Sequence, residues 1–227
     1  MAGYAWQDTA EPAEKDHPET EIATADRITS LMELLDVNRS VVLIIDLQGK
    51  LMEMIERPNL VVAATRRLLT LAGLFGVPVI LTEQYPRGLG GTHPEVRAAF
   101  DELASSKRLL DKTSFGCCGD PNFERTVREL RPELDAAQRQ YVIAGIEAHV
   151  CVMQTVLELL RQGSQVHLSW ECVSGRGAEY RRHALERMVQ AGAVITNHES
   201  VAFEWARDKN HPQFKAISAL FKEGQLI

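Results

Sequence analysis

From about residue 41 onward, apolar runs of strand length alternate with segments of helical periodicity. Val41–Asp46 reads V-V-L-I-I-D, an unbroken run rich in β-branched residues, which marks a strand covered on both faces. Helical spacing over Leu60–Phe75 stops at Gly76, and Val77–Thr82 forms a second strand with Pro78 at its start, where a missing N–H is tolerated. Arg108–Asp111 is a short third strand, and Asn122–Leu130 is a helix ending before Pro132. Strand Tyr141–Ala144 leads into helix Val150–Arg161, closed by Gly163. Strand Gln165–Ser169, helix Ala178–Gln190 (stopped at Gly192), strand Ala193–Asn197 and a last helix over Pro212–Lys222 complete the series. Ahead of it, residues 1–26 are polar and carry Pro12 and Pro18, which predicts a mobile arm. Ser30 with Glu33 suggests a capping box for a short helix over Leu31–Leu35. The alternation predicts an α/β domain over residues 37–227, a six-stranded parallel sheet with right-handed crossovers and helices on both faces, preceded by an arm over 1–36.

Composition narrows the function classes. A chain of 227 residues with 45% hydrophobic content can bury one full core. Net charge is −6 and no Lys/Arg cluster occurs, which argues against nucleic-acid or anionic-membrane partners. Residues 1–39 hold nine acids, from Asp8 to Asp36, against Lys15, Arg27 and Arg39, so the acidity belongs to the arm. The start, M-A-G-Y-A-W-Q-D, lacks the basic and apolar regions of a secretory leader, and no apolar run reaches the roughly 18 residues of a membrane span. The expectation is a cytoplasmic protein with reduced thiols. Its cysteines are Cys117, Cys118, Cys151 and Cys172; none forms C-x-x-C, and zinc spacing is absent.

The most informative stretch is Val142–Val152, V-I-A-G-I-E-A-H-V-C-V, a strand, a short turn and then Cys151 on the first turn of an apolar helix. A helix N-terminus carries partial positive charge and unpaired N–H groups, which favour a thiolate and can hold an oxyanion. The competing reading is packing, since free cysteine is among the most buried residue types. Ligands of such sheets bind outside the carboxyl ends of the strands. Asp46 ends the first strand, Lys112 lies just beyond the third and Cys151 just beyond the fourth, so all three project from one edge. A carboxylate there can take the thiol proton, and an ammonium can hold the thiolate and position the acid. Each also has a plain role: Asp46 as a helix N-cap, Lys112 as solvated surface.

D-L-Q at Asp46–Gln48, T-E-Q-Y-P-R-G-L-G-G-T at Thr82–Thr92, D-K-T-S-F at Asp111–Phe115 and G-I-E-A-H-V-C at Gly145–Cys151 resemble the isochorismatase-like cysteine hydrolases. The E-Q-Y-P-x-G-L-G loop and D-K-N-H-P-Q-F-K at Asp208–Lys215 resemble the branch called isochorismatase domain-containing proteins, and the likeness runs from about residue 37 to the end. The resemblance implies a Rossmann-like fold, a triad falling on Asp46, Lys112 and Cys151, and a cis peptide at Ile146–Glu147. That peptide would direct the N–H groups of Glu147 and Cys151 at an oxyanion. It implies hydrolysis of a small amide or carbamoyl C–N bond through a thioester, without a cofactor. Nicotinamidases of the superfamily carry an acid and two histidines for zinc near D-W-H-P. Here E-Q-Y-P stands instead, with no histidine between His17 and His93, so no metal site is expected.

Gln48, Gln84, Tyr85, Phe115 and His149 are the candidate substrate contacts. Glu83 and Gln84 serve equally well as caps of the loop backbone, and His149 as a structural neighbour of the triad. Cys117 and Cys118 are read as bystanders and Cys172 as packing; Arg176 is left between an anionic substrate and a subunit interface. The expected partners are a small-molecule substrate and further copies of the chain, as a dimer or tetramer. Two other functions remain open at this stage, a vinyl-ether hydrolase working through Asp46 without the thiol, and a non-catalytic scaffold using the acidic arm.

Overall fold

The alternation of Val41, Leu43 and Ile45 with Val42 and Ile44 sends successive side chains of the first strand to opposite faces, and both faces are covered. In the computed structural model, which describes residues 33–222, Val42 and Ile44 join one apolar core and Val41, Leu43 and Ile45 join the other. All five are fully buried, as a strand in the middle of a parallel sheet must be. The elements are β1 (Ser40–Ile45), α1 (Pro58–Phe75), β2 (Val79–Gln84), α2 (Pro94–Asp101), β3 (Lys107–Lys112), α3 (Pro121–Leu130), β4 (Gln140–Gly145), α4 (Met153–Arg161), β5 (Gln165–Val173), α5 (Ala178–Ala191), β6 (Val194–Thr196), α6 (His198–Ala206) and α7 (Phe214–Lys222). The sheet is parallel throughout, in the order β3-β2-β1-β4-β5-β6. Apolar faces of α1, α2, α6 and α7 cover one side, and those of α3, α4 and α5 the other.

The chain runs from β1 outward through β2 and β3, then returns to the other side of β1 to lay down β4, β5 and β6. The strand order therefore reverses between β1 and β4, and their carboxyl ends frame the expected crevice. These two ends meet closely. Gly145 has φ +142°, and a Cβ there would stand 2.3 Å from the Ile45 carbonyl oxygen, the oxygen that accepts the Ile146 N–H at 2.9 Å. Only glycine fits. Gly145→Ala is expected to cost about 3 kcal/mol or more of stability, read as a lowered midpoint in urea unfolding at unchanged slope.

The pattern missed some elements. Helices α2 and α6 went unassigned; α2 starts at Pro94, where its missing N–H is harmless, and the Asn197 side chain caps α6 by accepting from Ser200 N. β5 runs on to Val173, four residues past the expected Ser169, and beyond Ser169 it has no pairing with β6. The helix expected from Val150 opens instead as a π-helical turn over Ala148–Val152. The last helix begins at Phe214 rather than Pro212. Residues 1–26 and Ser30 lie outside the described residues. Of the short helix over Leu31–Leu35, the described part (Glu33, Leu34, Leu35) is not helical. Leu35 is fully buried, with its N–H on Glu204 Oε2 at 2.8 Å, so packing begins ahead of residue 37.

Candidate active site

Asp46 follows β1 directly, with a left-handed φ of +53°. It caps no helix: the turn that follows, Gly49–Met52, has Gln48 at its N-cap. The Asp46 N–H instead reaches the Thr82 carbonyl at 3.2 Å, and the Thr82 hydroxyl donates to Asp46 Oδ1 at 2.7 Å. Lys112 at the end of β3 is no surface lysine either. Its ammonium is buried and donates to Asp46 Oδ2 at 2.7 Å, Gln84 Oε1 at 2.7 Å, Phe115 O at 3.0 Å and Ser114 O at 3.2 Å. Four acceptors around one ammonium hold it in place.

Cys151 is buried on the π-helical turn, beside this ion pair. Burial, the Asp46 charge and hydrogen bonding to its carboxylate push the thiol up to about 12, against a smaller downward pull from Lys112. The helix start therefore does not leave a resting thiolate, as its position suggested; desolvation and the adjacent carboxylate outweigh it. Cys117, Cys118 and Cys172 are likewise raised by burial, to about 11, 12 and 12. Cys117 is not remote, for its thiol feels both Lys112 and Asp46, and its backbone N–H donates to the Thr155 hydroxyl at 2.9 Å.

The Ile146–Glu147 peptide is cis. Around it, the Ala148 N–H is spent on Ser174 O, and those of Val150 and Val152 on Glu147 O, whereas the Glu147 N–H meets no acceptor among the described residues. The Glu147 carboxylate is buried and forked by Arg176, at 2.5 Å from Nε and 3.1 Å from Nη2. Arg176, left between two roles by the sequence, thus holds the residue next to the thiol's turn.

Of the candidate substrate contacts, Gln48 and Gln84 have their amides engaged. Gln48 bridges Gln84 N (2.6 Å), Gln84 O (3.0 Å) and Gly90 O (2.7 Å); Gln84 bonds Lys112 and the Thr113 carbonyl (2.8 Å). Both are buried and brace the edge. Glu83 accepts the Thr92 N–H and hydroxyl, which makes it a loop cap. Tyr85 and Phe115 stand exposed at the ends of β2 and β3. His149 stacks on Tyr180, ring centroids 4.8 Å apart, with Nδ1 buried and unpartnered. A cavity of about 300 Å³ opens beside Lys112 and Tyr85; a larger one of about 500 Å³ lies between α1, β5 and α5 and touches none of Asp46, Lys112 or Cys151. Among the described residues no cluster of His, Cys, Asp and Glu is suited to a metal ion. The sequence reading passed over Thr82 and Tyr180; only the register of β2 against β1 and the packing of α5 place them here.

An acid, an ammonium and a thiol gathered where the strand order reverses define an α/β protein of the hydrolase-like type. The chain belongs to the isochorismatase family, whose domain model matches residues 40–200. It is 39% identical over 186 residues to isochorismatase domain-containing protein 2 of Pongo abelii, covering 81% of this chain and 83% of that protein. To isochorismatase domain-containing protein 1 of Danio rerio it is 35% identical over 177 residues, 78% of this chain but only 59% of the relative's length. The structure described as MAR1 ribonuclease from Caenorhabditis elegans superposes with a TM-score of 0.75 at 34% identity, covering 84% and 93% of the two chains. The YcaC gene product of Escherichia coli, described as an octameric hydrolase of unknown specificity, gives 0.68 at 25% identity, covering 84% and 97%. No described helix is long and apolar enough to cross a membrane.

Proposed function

We propose that this protein hydrolyses the C–N bond of a small amide, with Cys151 as nucleophile, Asp46 as proton carrier and Lys112 as the charge that holds Asp46 and meets the thiolate. The observation that carries this reading is the buried Asp46–Lys112 ion pair at 2.7 Å, beside which Cys151 is buried on its turn with both charges acting on its thiol. In acylation the thiol proton passes to Asp46 as sulfur attacks the carbonyl carbon, and the oxygen takes the negative charge. The Glu147 N–H is the group available to receive it. Asp46 then gives its proton to the departing nitrogen, ammonia leaves and a thioester remains. Water attacks the thioester, losing a proton to Asp46, and the acid departs as the thiol is reprotonated. The sum is amide plus water to acid plus ammonia, and no metal or cofactor enters it.

A thiol raised to about 12 also fits a protonated bystander, the situation of the vinyl-ether reading in which Asp46 alone delivers a proton to the substrate. Cys151→Ser separates the two. On a panel of small primary amides, ammonia release by wild type is expected and should fall to background in Cys151→Ser. Ammonia release undiminished in the variant would remove the thiol from the mechanism. Cleavage of a vinyl ether by wild type and variant alike, with no ammonia from any amide, would move the assignment to ether chemistry. The ribonuclease in the name of the C. elegans structure finds no support here, where no Lys/Arg cluster occurs to hold an RNA backbone. Assembly with further copies, beyond the dimer or tetramer expected, is proposed by analogy with the octameric relative, and a cytoplasmic location stays a proposal from thiol usage.

A further inference from the structure

We infer that Tyr85, Phe115 and Tyr180 bracket the reactive group and receive a flat, uncharged, apolar acyl group of the substrate, an inference that rests on the amide-hydrolase reading above. Among the described residues these are the three most exposed large apolar side chains, at 55%, 55% and 59%. All three stand at the carboxyl edge of the sheet, after β2, after β3 and in the first turn of α5.

Their backbone and ring contacts tie them to the site. The Tyr85 N–H bonds the Lys112 carbonyl at 2.9 Å, and the Phe115 carbonyl accepts the Lys112 ammonium at 3.0 Å. The backbones of these two aromatics therefore border the ion pair. Tyr180 is stacked on His149, which shares the π-helical turn of Cys151 and precedes it by two residues. Tyr85 is also held in an unusual conformation, with φ +38°, and its ring edge lies where a Cβ on Gly88 would be, 2.3 Å from Cε1. A bulky residue at positive φ persists only where its surroundings over-determine it.

Charge selects the class of ligand. Lys112 and Arg176 are each paired with a carboxylate, Asp46 and Glu147, and Arg87 shares the cavity beside Tyr85 and Lys112 with two further carboxylates, Asp111 and Asp120. The cations here are balanced by acids, which disfavours an anionic acyl group. Three aromatic faces left in water are unspent apolar surface, and aromatic pairs favour stacked or edge contacts with a ring. A planar, uncharged acyl group satisfies both conditions.

The test uses thiol-directed amides on the full chain. The rate at which Cys151 displaces bromide from 2-bromo-2-phenylacetamide, forming the C–S bond, is compared with that for 2-bromopropanamide. Each rate is divided by the probe's rate with glutathione and read by peptide mass spectrometry. In wild type the normalised rates should favour the phenyl probe about tenfold. Tyr85→Ala, Phe115→Ala and Tyr180→Ala should each lower that ratio, whereas Phe203→Ala, on α6, should keep it. Equal normalised rates in wild type, or a ratio untouched by all three substitutions, would overturn the inference. Equal rates with sedimentation changed by the three substitutions would instead assign the rings to a second copy of the chain. Failure of the underlying reading has a separate sign, since iodoacetamide labelling of Cys151 would then ignore Asp46→Asn and Lys112→Met.

Discussion

Asp46→Asn is expected to label faster at Cys151 with iodoacetamide while losing amide turnover. The two effects run in opposite directions for one physical reason. Alkylation needs only a thiolate, and after burial itself the Asp46 charge is the largest influence holding the thiol protonated. A neighbouring like charge raises a pKa strongly, so its removal should speed labelling by about tenfold or more near neutral pH. The wild-type rate should still be climbing at the alkaline end of the accessible range, because its thiol ionises only near 12. The variant's rate should level off earlier, because its thiol ionises lower. Hydrolysis, by contrast, must deliver a proton to nitrogen, and asparagine carries none to give. A loss of about 10²–10⁴-fold is expected from removing that transfer. Labelling of Asp46→Asn no faster than wild type at any pH would mean that the thiol does not feel this carboxylate, and the proton-carrier role would fall with it.

That contrast marks where sequence reasoning ran out. The edge residues were legible because apolar runs end abruptly: V-V-L-I-I stops at Asp46, and a strand buried on both faces must end where its carboxyl edge meets solvent or a site. The depth of the site was not legible. Local pattern places Cys151 at a helix start, where a dipole argument lowers its pKa. Only the assembled sheet shows that the turn is buried and that Asp46 has been brought against it. For the same reason Gln48 and Gln84 read as candidate ligand contacts, although their amides are engaged with backbone and with Lys112 across β1, β2 and β3. Thr82 carries no sequence signal for its hydrogen bond, since any residue at a strand end would fit the pattern. Helix α6 escaped although His198, Val201, Ala202, Trp205 and Ala206 line one buried face at helical spacing: a histidine sits on that face and the exposed Phe203 on the opposite one, so the apolar stripe is blurred in the sequence.

Lys112→Met should have the largest effect on stability, and its repair by a second substitution is the sharper test. Methionine keeps much of the side-chain volume but removes the charge, leaving the buried Asp46 carboxylate with the neutral Thr82 hydroxyl and no cation. Breaking one side of a buried ion pair costs about 3–5 kcal/mol, because the remaining charge has lost its partner. The same change removes the one downward pull on the Cys151 thiol, so labelling should slow, opposite in sign to Asp46→Asn. The double variant Asp46→Asn with Lys112→Met holds no buried charge at this position. Its stability is expected to recover most of the loss, because the neutral pair no longer carries the desolvation cost of an orphaned ion. It should nevertheless remain without turnover, since neither the proton carrier nor the cation has been restored. Urea unfolding of the four proteins in the cycle measures the coupling. Additive losses would mean that the carboxylate and the ammonium do not depend on each other, which a contact of 2.7 Å between two buried groups forbids.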